Sequence, residues 1–391
     1  MISREELRQL ASFECQHPDE LAISFYFKPS TPQDKSHREE IILAKDLVRK
    51  TIQELQMNGP FRGALEDLQR ILELAEGLHG NQARGKVVLA CGARSIWQEF
   101  DVPAGVASTK LFVNRRFHLT PLAPVFSEHP RLWVALVDRQ RARFLEIQFE
   151  DLHEHAAIAN FLPRHGGSDG YSGYDAGHSE RHEENDYRRH YRLVAETLKH
   201  AAEKKQFEAL VIGCREVNWP ELEAQLHPDV QKRLLGHFSA DLSTLTDVQA
   251  KQQADRIVRE SLQQHHENLI REVIDAARSN GLGVTGLRRV LRATEMGEVE
   301  TLLMSSDYTA RAVECTACRH LDSHMVPYCP LCGRATRQLD DVCEALVPLA
   351  IKNNIGLVLL PRDETLDRVG NIAALLRFRA DRNTNQLLAA S

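Results

Sequence analysis

Hydrophobic and polar positions divide the first third of the chain into one strand, two helices and a group of short strands. Residues 21–28 alternate in polarity and include aromatic side chains, as strands do. Apolar residues then recur at helical spacing in 41–55 and again in 65–75, and both helical patterns stop at glycine-containing segments. Three short runs that follow predict further strands, at 86–92, 96–100 and 110–117. We therefore expect a mixed α+β domain over residues 1–129.

The middle of the chain combines a strand pair with a long helix. Two apolar runs, 132–138 and 142–149, flank a short polar turn and predict a β-hairpin. From about Ser179 to Lys205, apolar residues recur on one helical face while charged residues occupy the opposite face. A buried strand at 209–214 follows. Together these elements predict an α/β domain over residues 130–268.

The last part of the chain alternates helix and strand. A polar helix is predicted over 246–278, where it bridges two domains. Helical patterns begin near Leu287 and near Asp341, and apolar strands follow them at 300–306 and 356–361. This alternation predicts an α/β/α domain over residues 269–391. The chain as a whole is therefore expected to form three domains of mixed α/β and α+β structure.

Composition places the chain among ordinary globular proteins. It has 391 residues, of which 42% are hydrophobic and 27% are charged. No apolar run approaches the roughly 20 residues that a membrane span needs. The first residues mix acids with bases, which is typical of a helix rather than of a signal peptide. We therefore expect a cytoplasmic protein.

The charge pattern suggests local rather than overall attraction to nucleic acid. The net charge of −6 argues against a protein that coats nucleic acid. Residues 109–143, however, contain seven Lys and Arg against two acids, and 278–292 contain four arginines and no acid. Such stretches are either solvated faces or phosphate-binding surfaces. The candidate RNA contacts within them are Lys110, Arg115, Arg116, Arg139, Arg141, Arg288, Arg289 and Arg292.

Four of the eight cysteines form two closely spaced pairs, Cys315–Cys318 and Cys329–Cys332. Each Cys-x-x-Cys pair can form a tight turn whose thiolates converge, and two such turns give the tetrahedral set that zinc prefers. We predict a structural zinc site in an insertion at 313–335. An iron–sulfur or redox use and a site that holds no metal remain alternatives. The nearby His320 and His324 are interpreted as surface residues.

A glycine-rich segment, 163–178, separates the predicted hairpin from the long helix. It contains five glycines together with Tyr171, Tyr174, His165 and His178. Glycine has the largest entropic cost of ordering, so a long glycine-rich loop within a domain suggests a functional segment ordered by a partner. Successive glycines let the backbone approach a ligand and direct N–H groups at negative charge. Neighbouring tyrosines are able to stack on bases.

This segment also has two enzymatic interpretations. His178 and His182 have the i, i+4 spacing of metal ligands, with Asp175 or Asp186 as further donors, which suggests a metal-dependent hydrolase. The interpretation of the segment as a serine hydrolase site, with Ser168 as the nucleophile, is weaker. A nucleophile elbow needs a preceding strand, which Pro163 disfavours.

With these parts in order, the chain resembles the archaeal and eukaryotic class I peptide release factor and Pelota superfamily, in its bacterial branch. The resemblance rests on LVDRQRARFLEI, GHSERHEENDYRRHYRLVAETL and ALVIGC in the middle domain, and on GLRRVLRATEMGEVETLLMSSD in the last. It implies a C-terminal α/β/α domain similar to the kink-turn-binding ribosomal protein fold. The cysteine insertion is also similar to one in archaeal members.

The resemblance further implies binding in the ribosomal A site, with contacts to rRNA of both subunits. The glycine-rich loop would then reach the peptidyl-transferase centre. The implied loop residues are Arg164, His165, Gly166, Gly167, Ser168, Gly173, Tyr174, Gly177 and His178.

The sequence departs from the release factors at two motifs. It contains no Gly-Gly-Gln, and residues 1–125 contain no Asn-Ile-Lys-Ser-like stop-codon motif. We therefore expect a non-hydrolytic hibernation or stress factor without catalytic residues, with elongation factor Tu or another translational GTPase as a possible partner. The alternative is a rescue or release factor that hydrolyses peptidyl-tRNA through a divergent loop.

Overall fold

The computed structural model describes residues 4–17, 19–28, 37–59, 61, 63–77, 84–103, 108–122, 131–148, 151–159 and 176–380. They form a mixed α/β protein made of two compact units. The first unit combines Met1–Glu128 with His266–Ser391, and the second is His129–His265. The first and third predicted domains thus pack together as one unit.

The N-terminal part of the first unit is an antiparallel sheet covered by helices. Its elements are α1 (Arg4–Ser12), β1 (Ala22–Phe27), α2 (His37–Asn58), α3 (Ala64–Gly77), β2 (Arg84–Cys91), β3 (Ile96–Pro103) and β4 (Lys110–Asn114). The strand order is β3-β2-β1-β4. Side chains of β1 alternate between two cores, because Phe25 packs with α2 and α3 while Tyr26 faces the core shared with the C-terminal part. The predicted elements of this region are confirmed.

The second unit is a five-stranded sheet in the order β7-β6-β5-β8-β9, with β5, β8 and β9 parallel. Its elements are β5 (Leu132–Val137), β6 (Arg141–Gln148), β7 (Asp151–Ala159), α4 (Ala176–Glu203), β8 (Ala209–Cys214), α5 (Trp219–Glu223), α6 (Pro228–Gln231) and β9 (Leu234–Ser239). The long helix α4 packs on one face through Tyr191, Val194 and Leu198. The hairpin, the long helix and the β8 strand are confirmed, whereas both edge strands, β7 and β9, were not predicted.

Helix α7 (Asp247–Arg278) spans the boundary between the units in sequence, as predicted, and the remaining elements belong to the first unit. These are β10 (Gly283–Thr285), α8 (Leu287–Glu295), β11 (Val299–Ser305), β12 (Ala312–Cys315), β13 (Leu321–Asp322), β14 (Thr336–Leu339), α9 (Cys343–Lys352), β15 (Gly356–Leu360), α10 (Glu364–Asp367) and β16 (Ile372–Leu376). The sheet order β10-β16-β11-β15 pairs β11 with β15 in parallel, so the predicted α/β/α pattern is confirmed. Strands β12, β13 and β14 form a separate small sheet.

None of the helices within the described residues is long and apolar enough to cross a membrane.

Candidate functional site

The four paired cysteines meet beside the small sheet of β12, β13 and β14. Cys315 is the last residue of β12, and Cys318 lies in the turn that follows it. The second pair flanks another turn, which closes when the Gly333 N–H donates to the Cys329 carbonyl at 2.9 Å. The Sγ atoms of Cys315 and Cys332 are 3.4 Å apart. Those of Cys318 and Cys329 are 3.6 Å apart, and all four lie within 4.8 Å of one another.

Local hydrogen bonds favour the charged form of one of these thiols. The backbone N–H groups of Cys318 and Ala317 both donate to the Cys315 sulfur at 3.4 Å. Chiefly through the N–H of Cys318, and against desolvation by burial, they lower the pKa of Cys315 to about 6. The turn therefore presents a thiolate, which is the form of cysteine that binds a metal.

The donor set fits a closed tetrahedral metal site. A zinc ion with Zn–S bonds of about 2.3 Å places its sulfur ligands roughly 3.8 Å apart, close to the two measured separations. Four sulfur ligands leave no position open for water or substrate, so a metal held here stabilises the fold and performs no chemistry. The two nearby histidines contact carboxylates instead, since His320 Nδ1 lies 2.5 Å from Glu295 and His324 Nδ1 lies 2.9 Å from Asp322.

An ion-pair network joins this cysteine cluster to the N-terminal part of the first unit. Glu314, which precedes Cys315, has a side chain only 2% exposed. It accepts from Arg116 at 2.7 Å and from Arg337 at 2.6 Å. Glu14, just beyond α1, accepts from Arg116 at 3.0 Å and from Arg319 at 2.8 Å. Two carboxylates thus face three guanidinium groups.

This arrangement stabilises the ionised carboxylate of Glu14. Although burial raises the pKa of Glu14, the positive charges of Arg116, Arg319 and Arg337 lower it below its ordinary value. Arg319 lies directly after Cys318, so the turn that holds the cysteine cluster also takes part in the network. No local sequence pattern indicates this network, because Glu14 and Glu314 are separated by 300 positions.

We predict that Glu314→Gln lowers the free energy of unfolding of the first unit by about 3 kcal/mol, because it leaves the half-buried guanidinium groups of Arg116 and Arg337 without their main counter-charge. Urea unfolding followed by circular dichroism measures this. The matched control is Glu364→Gln, whose exposed carboxylate lies 3.9 Å from Arg368 and is expected to change stability by less than about 0.5 kcal/mol. Equal effects of the two substitutions would contradict the structural role of Glu314.

The three predicted RNA contacts near β4 have different surroundings. Lys110 is exposed at the start of the strand. Arg115 donates to the backbone carbonyls of Cys15 at 3.2 Å and Gln16 at 3.3 Å. Arg116 is the half-buried centre of the ion-pair network. An RNA phosphate at Arg116 would have to displace Glu14 and Glu314.

Arg139 and Arg141 follow β5 in the second unit, and both are exposed. The guanidinium of Arg139 lies 5.1 Å from the centre of the Tyr187 ring on α4, and its Nε donates to Asn218 at 3.3 Å. Arg141 pairs with Asp138 at 3.1 Å. The structure therefore places Arg139 beside the long helix that follows the glycine-rich segment.

Helix α8 presents Arg288, Arg289 and Arg292 to solvent. Its other face is buried through Val290, Leu291, Ala293 and Thr294. The helix begins after Gly286, whose φ of +81° lies in a region that favours glycine. Among the described residues, no carboxylate lies within ion-pair distance of these three arginines. Of the predicted RNA contacts, these are the three that the structure brings together on one exposed surface.

Most of the predicted residues of the glycine-rich loop lie outside the described part of the structure. Arg164, His165, Gly166, Gly167, Ser168, Gly173 and Tyr174 are not among the described residues. Gly177 and His178 belong to the first turn of α4, but the side chains of His178 and His182 are also outside the described part. The assignment of these residues to a ribosomal contact remains a prediction.

Comparison with known proteins gives one family match and several distant structural similarities. Residues 118–257 match the model of the bacterial archaeo-eukaryotic release factor family 10. No curated protein matches the chain.

Among solved structures, an archaeal translation termination factor aRF1 is similar at 17% identity, over 96% of this chain and 99% of that one, with a TM-score of 0.25. Pelota of Archaeoglobus fulgidus is similar at 14% identity, over 77% and 81% of the two chains, with a TM-score of 0.34. Dom34 of S. cerevisiae is similar at 10% identity, over 75% and 79%, with a TM-score of 0.41.

Proposed function

We propose that the chain is a ribosome-associated translation factor of the release factor and Pelota superfamily, because residues 118–257 match the model of the bacterial archaeo-eukaryotic release factor family 10. The family match is the observation on which the proposal depends. It covers most of the second unit, including the β5–β6 hairpin and the helix α4 that follows the glycine-rich segment. A cytoplasmic location follows from this proposal.

The exposed arginines of α8 supply the second line of support. A ribosome presents a dense array of phosphates, and guanidinium groups without local counter-charges are suited to bind them. Arg139 and Lys110 are further exposed positive groups. We propose that α8 contacts rRNA. The net charge of −6 disfavours binding of nucleic acid to the rest of the surface.

We further propose that the factor occupies the A site without hydrolysing peptidyl-tRNA, as a hibernation or stress factor. The glycine-rich segment contains one pair of adjacent glycines, Gly166 and Gly167, and Ser168 rather than glutamine follows them, so the segment has no Gly-Gly-Gln. A loop of this kind is suited to fill the catalytic centre. Elongation factor Tu or another translational GTPase is the proposed delivery partner.

We propose that the four cysteines hold Zn²⁺, with Cys315, Cys318, Cys329 and Cys332 as its ligands. Four sulfur atoms within 4.8 Å of one another, with separations near those of a tetrahedral Zn–S₄ site, support zinc over a reactive dithiol, which needs only two cysteines.

A peptide-release assay separates this function from the alternative of ribosome rescue. Ribosomes with labelled peptidyl-tRNA in the P site are incubated with the protein, and the released peptide is measured. We expect release no faster than in buffer alone. Release that is fast with the natural chain and abolished by Gly166→Ala with Gly167→Ala would overturn the hibernation proposal in favour of hydrolysis. A true release factor serves as the positive control.

A further inference from the structure

Exposed apolar side chains lie on the segment that carries the second cysteine pair. Within seven residues of the chain, Tyr328 is 67% exposed, Leu331 is 71% exposed and Met325 is 47% exposed. Single exposed apolar residues are common on protein surfaces, whereas several together indicate an interaction site. The proposed zinc site does not account for them, because a metal held by four sulfur atoms needs no other side chain of this segment.

The backbone around Tyr328 is fixed by pairing with the chain that returns from the turn. The N–H of Cys329 donates to the Arg334 carbonyl at 2.7 Å, and Tyr328 forms an antiparallel bridge with Ala335. The segment is therefore a short two-stranded ribbon. Because its backbone is already ordered, contact between the exposed phenol ring and a partner costs little backbone entropy.

The charge of this ribbon is positive. Residues 323–338 contain no Asp or Glu. Arg334 is exposed and has no carboxylate within ion-pair distance among the described residues, whereas Arg337, three positions later, pairs with Glu314. The ribbon therefore combines an exposed aromatic ring, exposed aliphatic side chains and one guanidinium group that has no counter-charge.

Size and charge together favour RNA over a protein as the partner of this ribbon. A stable protein–protein interface buries about 800 Å² on each partner, far more than these few side chains offer. One unpaired RNA base needs only an aromatic face on which to stack and a cation for the adjacent phosphate. Zinc knuckles are among the small modules that bind RNA.

We propose that this ribbon binds an unpaired base of single-stranded RNA. The base stacks on the ring of Tyr328, and Arg334 binds a neighbouring phosphate. Leu331 and Met325 add apolar contact. The proposal rests on the proposed function for the source of the RNA, which for a ribosome-associated factor is an unpaired segment of rRNA. The contact is separate from that of α8, which has three arginines but no aromatic residue.

Fluorescence anisotropy of a labelled single-stranded oligoribonucleotide, titrated with the full chain, tests this contact. Tyr328→Ala is expected to weaken binding by about 10-fold, because one base loses its stacking partner. Stacking releases no counterions, so the slope of log K against log salt should not change. Tyr328→Phe keeps the ring and should bind within ~2-fold of the unsubstituted chain. Arg334→Gln removes a phosphate contact instead and should reduce the slope by about 0.7.

Two controls accompany these variants. Phe378 is another exposed aromatic residue of the first unit, outside the cysteine turns, and Phe378→Ala should change the affinity by less than ~2-fold. Duplex RNA of the same length keeps its bases stacked within the helix, so Tyr328→Ala should leave the affinity for the duplex unchanged. Circular dichroism and metal content establish that each variant is folded like the unsubstituted chain.

The proposal would be overturned by the absence of saturable binding of single-stranded RNA, or by unchanged binding of that RNA by folded Tyr328→Ala. Equal weakening by Tyr328→Phe and Tyr328→Ala would also contradict stacking. If Tyr328→Ala lost ribosome binding but kept its affinity for RNA, the ribbon would bind a ribosomal protein and the RNA contact would be wrong. A chain that binds RNA through Tyr328 but does not sediment with ribosomes would contradict the proposed function and leave this contact supported.

Discussion

Replacing Arg288, Arg289 and Arg292 by glutamate is expected to lower the affinity of the chain for ribosomes by about 100-fold at moderate salt. The three side chains share one exposed surface of α8, and among the described residues they have no acidic partners. Each phosphate contact releases counterions, so loss of three contacts also reduces the slope of log K against log salt by about three. Ribosome pelleting over a range of salt concentrations measures both quantities.

The matched control replaces three other exposed arginines of α7 by glutamate, which gives the same change in net charge. They are Arg256, Arg259 and Arg271. We expect this control to weaken binding much less than the α8 substitutions, because Arg256 and Arg259 already have acceptors in Glu260 and the Asp255 carbonyl. If both triple variants weakened binding equally, net charge rather than the α8 surface would be responsible, and the proposed rRNA contact would be wrong.

Cys315→Ser is expected to abolish metal binding and to unfold the small sheet of β12, β13 and β14. Metal content, measured by mass spectrometry of the purified protein, should fall from about one zinc per chain to nearly none. The buried residues Ala312, Leu321 and Leu339 of this sheet belong to the main core of the first unit and form no separate core, so we expect the metal to supply a large part of the sheet's stability. Because Glu314 precedes Cys315, the substitution also disturbs the ion-pair network, and we expect a loss of at least ~3 kcal/mol in unfolding free energy.

Cys214→Ser provides the control for this substitution. Cys214 is a buried thiol of β8 in the second unit, far in sequence from the cysteine cluster, and its replacement should leave one zinc per chain. Retention of a full equivalent of zinc by Cys315→Ser would show that the cluster does not hold the metal. If the unsubstituted protein contained iron or no metal by mass spectrometry, the proposal that the four cysteines bind zinc would be wrong.

The sequence predicted the elements with strong patterns. The β5–β6 hairpin has two apolar runs around a polar turn, and α4 repeats apolar residues over many helical turns, so local pattern was sufficient for both. The edge strands were missed because the exposed side of a sheet edge does not need apolar residues. Strand β7, DLHEHAAIA, has polar residues in most of its first half, and β9 contains Gly236 and His237.

The candidate sites, like the secondary-structure elements, could be predicted only where the sequence carries a local signal. Cys-x-x-Cys spacing is a local signal, and the structure brings the predicted four cysteines together. The contacts of Glu314 with Arg116 depend on packing between segments 198 positions apart, which no local pattern reveals. The basic neighbourhood of Arg116 therefore predicts an RNA contact, whereas its pairing with two carboxylates has no local signal in the sequence.

Sedimentation of the purified chain with empty ribosomes tests the central proposal most directly. The protein is mixed with vacant ribosomes at several salt concentrations, and the pellet and supernatant are compared. We predict that the protein pellets with ribosomes at low salt, at no more than one copy per ribosome, and is released progressively as salt rises. A chain that stays in the supernatant even at the lowest salt would contradict the proposal that it is a ribosome-associated factor.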